Sequence, residues 1–359
     1  GEICTWFGIA EAGTAVVGTP RTEAGLFWAT GLAFGPDDRP YILDWNNHRV
    51  LTLDKDDGVE VVTGVSGQLG DGPPGPALEA RWNHPTDIAW LSDGTLVLAA
   101  WHNSRVVTLD PSLSTVAFIA GTGGRDFAGD GGPAVDAVLD LPCGVVVDAD
   151  DNIYLSDQSN QRIRRIDGAG VIETVAGTGG HGFNGDGPAL DTMLANPALS
   201  RAEPAGKLDI HEGVIYFADT HNGRVRAFDP AASTITTIAG RGQAPPDSDW
   251  GTGCTEGCGF SGDGGPATEA EFNLPSDVAV ADDGTIYVAD TGNSCVRAID
   301  PDGIVSTFAG SCGERGYEGD HGPATSALLD RPFGVEVSPD GAVYIADTYN
   351  SVIRRVMPD

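Results

Sequence analysis

One unit of sequence recurs six times along this chain, and the recurrence limits the fold more than any other feature. The clearest copies are PSDVAVADDGTIYVADTGNSCVRAIDPDGIVSTFAG at 275–310 and PCGVVVDADDNIYLSDQSNQRIRRIDGAGVIETVAG at 142–177. A third begins PTDIAWLSDGTLVLAAWHNSRVVTLD at Pro85, and the last begins PFGVEVSPDGAVYIADTYNSVIRRV at Pro332. GLAFGPDDRPYILDWNNHRVLTLD from Gly31 and LDIHEGVIYFADTHNGRVRAFD from Leu208 diverge but keep the plan. One asparagine anchors each copy: Asn47, Asn103, Asn160, Asn222, Asn293 and Asn350, spaced by 56, 57, 62, 71 and 57 residues.

Each copy holds four short stretches with period-two alternation, strands a to d, of the types GVVVD, NIYLSD, RIRRID and VIETVAG. Asp-Gly, Asp-Asn or Gly-rich turns separate a from b and c from d. Four strands in a repeat of this length specify a β-propeller blade. The chain is therefore expected to be all-β: a six-bladed β-propeller of four-stranded antiparallel blades, one domain over 1–359. The last copy lacks a strand d, whereas EICTWFG at 2–8 aligns with IVSTFAG at 304–310. Residues 2–8 are expected to lie alongside 352–356 as the missing outer strand, leaving no open edge at the junction.

Charge narrows the class of partner. The 52 acidic and 20 basic residues leave a net charge of -32. Nucleic-acid binding through a basic surface is excluded, because phosphate neutralisation needs clustered Lys and Arg. Anionic membranes are disfavoured for the same reason. No apolar run approaches the roughly 20 residues that a membrane helix needs. Lys55 and Lys207 are the only lysines. A salt- or calcium-rich medium and a GC-rich genome both account for that bias. A monomer is expected.

The cysteines are Cys4, Cys143, Cys254, Cys258, Cys295 and Cys312. Cys254 and Cys258 sit in GTGCTEGCGF with no second pair at zinc-ligand spacing, so a short loop-closing disulfide is expected. Cys295 and Cys312 are candidates to pair across neighbouring strands, leaving Cys4 and Cys143 free. Disulfides place the protein in an oxidising compartment: extracellular, cell-surface or periplasmic. No signal peptide is visible, so an export signal or tether is expected outside this sequence.

The repeat resembles the NHL family, whose core reads Asp-x-x-Asn-x-Arg-[Val/Ile]. It appears as Asp44, Asn47, Arg49-Val50; as Asp157, Asn160, Arg162-Ile163; and as Asp219, Asn222, Arg224-Val225. Ala100 replaces the Asp in the second copy, and Cys295 and Val352 replace the Arg in the last two. The connecting segments resemble a bacterial subfamily with Gly-Asp-Gly-Gly-Pro-Ala loops: FAGDGGPA at 127–134, FNGDGPA at 183–189, FSGDGGPA at 260–267 and YEGDHGPA at 317–324. LGDGPPGPA at 69–77 is a looser copy. Teneurin-type cell-surface proteins are similar more distantly, which brings in adhesion by analogy.

In such a propeller the d-to-a and b-to-c connections share one face, and all the long loops here are d-to-a. Loops on a rigid scaffold carry function, so a ligand is expected on this long-loop face. The loop aspartates Asp71, Asp130, Asp186, Asp263 and Asp320 read as turn residues, with calcium ligation as the alternative. More telling are positions where blades differ. Trp28, Trp45, His84, Trp101 and His102 replace smaller residues on the long-loop side of the first two blades. They are expected to line an aromatic pocket for a carbohydrate, peptide or protein ligand, or else to pack beneath the loops. Trp82 reads as core.

The channel offers a second candidate. Strand a faces the axis with small residues at Ala33, Ala89, Val146 and Ala279, which makes Glu336 conspicuous. Asp87 and Asp277 sit two positions earlier, near the long-loop mouth. With Glu336 they are candidate ligands for Ca2+ or another divalent ion, or a solvated polar plug. The resemblance extends to metal-dependent lactonases and to lyases with three zinc-binding histidines. His48, His84, His102, His181, His211, His221 and His321 show no such alternate-blade triplet. No Gly-x-Ser-x-Gly elbow is present either. The expected function is therefore non-catalytic binding or scaffolding. The alternative is a metal-assisted lyase or hydrolase using Asp87, Asp277, Glu336 and His84.

Overall fold

A computed structural model describes residues 1–198, 202–244 and 256–357. Alternating apolar residues become strands a, b, c and d of six antiparallel sheets. Blade one comprises Gly31–Phe34, Pro40–Asp44, Arg49–Leu53 and Val59–Thr63. Blade two comprises Pro85–Trp90, Leu96–Ala100, Arg105–Leu109 and Thr115–Ala120. Blade three comprises Pro142–Val147, Ile153–Asp157, Arg162–Ile166 and Val171–Ala176. Blade four comprises Leu208–His211, Val214–Asp219, Arg224–Asp229 and Thr234–Ala239. Blade five comprises Asp277–Val280, Ile286–Asp290, Cys295–Ile299 and Val305–Ala309. Blade six takes strands a to c from Gly334–Val337, Val343–Asp347 and Val352–Val356, and strand d from Glu2–Phe7 at the N-terminus.

The closing strand is in the expected place. Ile3 pairs with Val356, Cys4 with Arg355, Thr5 with Arg354, and Phe7 with Ile353 across a bulge. Strands a of successive blades touch all round the axis, blade six meeting blade one. Each blade is apolar on both faces, so an apolar cluster fills every gap between neighbours. Phe7, Leu32 and Tyr344 share the one between blades six and one. Trp82 is core, as expected, with its indole N–H donated to Thr63 Oγ1 at 3.1 Å.

A buried arginine organises blades three to six, and it is not the family-motif arginine. Arg164, Arg226, Arg297 and Arg354 lie four residues after the anchor asparagines and are fully buried. Each joins two aspartates, one at the end of strand b and one in the loop that carries the repeated Gly-Asp pair. Arg226 reaches Asp219 at 3.0 Å and Asp186 at 3.1 Å, and Arg354 reaches Asp347 at 3.4 Å and Asp320 at 2.8 Å. The loop aromatic caps the guanidinium: Phe127 over Arg164, Phe183 over Arg226, Phe260 over Arg297, Tyr317 over Arg354. The motif residues Arg162 and Arg224 instead donate to carbonyls such as Thr178 O and Gly240 O.

The loop aspartates are thus structural, as ion-pair latches. The latched loops also cover blade edges. Gly132–Pro133 pairs with strand d of blade three, Gly187–Pro188 with that of blade four, and Gly322–Pro323 with the closing strand. An unpaired outer strand would invite edge-to-edge association, and these short pairings occupy it.

Cys295 and Cys312 form a disulfide, with Cys312 in the loop beyond strand d rather than on a neighbouring strand. Cys4 and Cys143 are free. Cys258 is disulfide-bonded, and Cys254 lies outside the described residues. No helix among the described residues is long and apolar enough to cross a membrane.

Removing one member of a buried ion pair strands its partners, at a cost of about 3–5 kcal/mol. Arg354→Leu should lower the stability of the whole ring by that amount, read as a shift in the urea unfolding midpoint. The exposed pair Lys55–Asp56 is the control, and Lys55→Ala should change stability by less than about 1 kcal/mol.

Candidate functional site

The aromatic residues singled out from the first two blades do come together. Each b-to-c corner is a single turn of 3-10 helix, Trp45–Asn47 in blade one and Trp101–Asn103 in blade two. His48 and Ser104 close these turns in the left-handed conformation. The corners therefore carry Trp45 and Trp101 toward the long-loop face. Ring centroids lie 6.4 Å apart for Trp28–Trp45, 4.2 Å for Trp45–His84 and 4.0 Å for Trp101–His102.

Their surroundings differ. Trp101 is fully buried against Leu141 and Cys143 and donates its indole N–H to Gln158 Oε1 at 3.0 Å. That residue packs beneath the loops. His84 and His102 face each other through Nδ1 at 2.9 Å, and His84 Nε2 meets Asn46 Oδ1 at 3.2 Å. Burial pulls the pKa of His84 down to about 3 and that of His102 to about 4. Both rings are neutral at pH 7, so one Nδ1 donates and the other accepts.

Trp28 and Trp45 are only half-buried. With Tyr349, Phe333 and Glu203 they line a cleft of about 120 Å³. Trp28 lies 5.0 Å from Tyr349, and the Glu203 carboxylate pairs with Arg331 at 2.5 Å. Glu203 arrives on the connection into blade four, which is held where Gln158 Nε2 donates to Pro197 O and Glu203 O. Residues 199–201 of that connection lie outside the described residues.

The channel residues have a different setting from the one expected. In each strand a two positions face the axis. The first layer is Gly31, Asp87, Gly144, Lys207, Asp277 and Gly334, and the second is Ala33, Ala89, Val146, Asp209, Ala279 and Glu336. Lys207 of blade four crosses the channel and donates to Thr30 O of blade one at 2.9 Å, with Asp277 Oδ2 at 3.3 Å. A Cβ on Gly31 would lie 2.6 Å from this ammonium, which explains the glycine opposite.

Asp87, Asp209 and Asp277 each accept from a backbone N–H of the next blade: Val145 at 2.9 Å, Val280 at 2.6 Å and Val335 at 3.2 Å. They are struts between inner strands. Asp87 and Asp277 therefore flank Lys207 at the inner end of a well that opens on the other face, not at the long-loop mouth. His84 shares no partner with them. Among the described residues no three His, Cys, Asp or Glu side chains group as a metal-ligand set. Lys207, Asp209, Tyr349 and Glu203 were not anticipated. A second histidine pair, His181 Nε2 and His221 Nδ1 at 3.1 Å, was also missed.

Burial pushes Asp87 up to about 7, Asp209 to about 6, and Glu336 well above the usual carboxylate range. Repulsion from Asp277 adds to all three.

A family model described as the teneurin NHL domain matches residues 114–195, 198–300 and 251–316. Teneurin-1 of Mus musculus is 30% identical over an alignment of 295 residues that covers 72% of this chain and 10% of that protein. The chain thus spans about a tenth of the length of the teneurins it matches. Protein SUPPRESSOR OF QUENCHING 1, chloroplastic, of Arabidopsis thaliana is 27% identical over 327 residues, covering 89% of this chain and 29% of that one. Among solved structures, an auxiliary nutrient binding protein from Bacteroides ovatus matches with a TM-score of 0.67 at 14% identity. It covers 99% of this chain and 76% of its own, a likeness of fold.

A carboxyl whose folded pKa is raised holds its proton more tightly in the folded than in the unfolded chain. The channel acids therefore stabilise the fold most below about pH 4, and lose that contribution as pH rises toward 7. Glu336→Gln should raise the melting temperature at pH 8 and change it little at pH 4. The gain should be roughly 1–2 °C for each kcal/mol recovered. An equal shift at both pH values contradicts this account.

Proposed function

We infer that this chain, which belongs to the teneurin NHL-domain family, is an exported propeller that works by binding rather than by catalysis. Its ligand is a carbohydrate, peptide or protein segment met on the long-loop face. The observation that carries this reading is the cleft between Trp28, Trp45 and Tyr349, where half-buried indole and phenol faces stand on adjoining blades. Flat aromatic faces suit sugar rings and the apolar side of a peptide at low entropic cost. The Glu203–Arg331 pair beside them supplies polar contacts. Trp45 Nε1 is a buried donor without an acceptor among the described residues, so this cluster is not a fully satisfied core.

The Cys295–Cys312 disulfide supports an oxidising compartment. A metal-assisted lyase or hydrolase is less well supported. It needs His84, Asp87, Asp277 and Glu336 to face one point, whereas His84 faces His102 and Asp277 faces the Lys207 ammonium.

Trp28→Ala and Trp45→Ala should each weaken binding at least tenfold in a combined glycan and peptide array, with an unchanged circular dichroism spectrum. Trp101→Ala should act on stability instead, costing about 3–5 kcal/mol. Full binding by both the Trp28 and Trp45 variants would refute the assignment to this face.

A further inference from the structure

A second cavity lies on the opposite face. A well of about 720 Å³ runs along the axis from Lys207 and Asp277 to the short a-to-b turns at Gly35–Pro36, Asp282–Asp283 and Pro339. Lys207 bars its inner end. This volume falls within the range that holds small organic ligands. Phe34, Trp90 and Tyr287 contribute its aromatic wall.

At the bottom of the well carboxyl groups outnumber basic side chains. Asp87, Asp209, Asp277 and Glu336 face a single cation, Lys207. Three of the four carboxyls are engaged by strand amides. Glu336 is the exception, with no hydrogen-bond partner among the described residues. Its side chain is part-buried and lines the well. A deep carboxyl without a donor, aimed into a roomy cavity, leaves an acceptor that a ligand can use.

We propose that this well is a second binding site, for a small organic cation carrying a primary ammonium. The ammonium donates to Glu336, and the ligand's carbon chain lies along Phe34, Trp90 and Tyr287. An ammonium offers three donors and no acceptor, which matches a floor of acceptors. Aromatic faces attract cations once water is displaced. The lysine bar already shows that this floor accommodates an ammonium, since Lys207 Nζ sits among the same carboxylates. An organic cation suits the site better than a bare metal ion, because the aspartates are spread along three blades and tied to backbone amides.

The test is calorimetric titration of the full chain with putrescine and, as neutral control, 1,4-butanediol. At roughly 0.15 M salt, diffuse attraction to an acidic surface is largely screened. Putrescine should bind with a sub-millimolar Kd and butanediol should not. Glu336→Gln should weaken putrescine at least tenfold, and so should Ala33→Leu, which narrows the well without altering charge. Trp28→Ala should leave putrescine binding unchanged, which separates this site from the long-loop face. Equal binding by the diol, or putrescine binding indifferent to both well variants, would overturn the proposal. Calcium competing at one equivalent with the same dependence on Glu336 would overturn it too.

Discussion

Pairing of the first strand with the last is the constraint from which the rest follows. Glu2–Phe7 completes the sheet begun at Gly334, so the six sheets form a closed cycle. Each apolar cluster is shared by two blades and cannot be buried by either alone. Closure therefore fixes the position of every inner strand relative to its neighbours. Only then can a carboxylate on one strand a reach the amide of the next, or Lys207 reach across to Thr30.

The arginine latches extend this logic outward. Desolvation opposes charge in the interior, and Asp157, Asp219 and Asp290 all have their pKa pushed up by burial despite their arginines. Such pairs are poor sources of net stability compared with apolar packing. What they add is position. A guanidinium between two carboxylates and under an aromatic ring tolerates few arrangements, so each Gly-Asp loop is set onto its own blade edge. The long-loop face is thus rigid where it meets the blades, and its half-exposed tryptophans are presented from fixed corners.

The repeat made the fold legible down to the closing strand, because six copies of one alternating pattern admit few architectures. The aromatic cluster was legible too, since Trp45 and Trp101 break a register where other copies are small. Burial was not. Trp101 and Trp45 occupy the same corner position, yet one is core and the other lines a cleft. That difference lies in their neighbours: Leu141, Cys143 and Gln158 from the next blade enclose Trp101, a long-range arrangement that no local pattern encodes. Lys207 escaped for a related reason. Blade four follows the repeat only from Leu208, so its axial partner to Asp87 and Asp277 fell one residue outside the recognisable segment. The latching arginines were visible as RIRRI and VIRRV, but the family motif drew attention to the residue two places earlier.

The Lys207 bar has a topological effect beyond its local charge balance. A ring of blades with an open axis is a pore, through which solutes, water or an extended chain could thread. One ammonium tethered to the far wall closes that pore at the inner end of the well, with a partition a single side chain thick. A shift of that side chain would be felt on both sides at once.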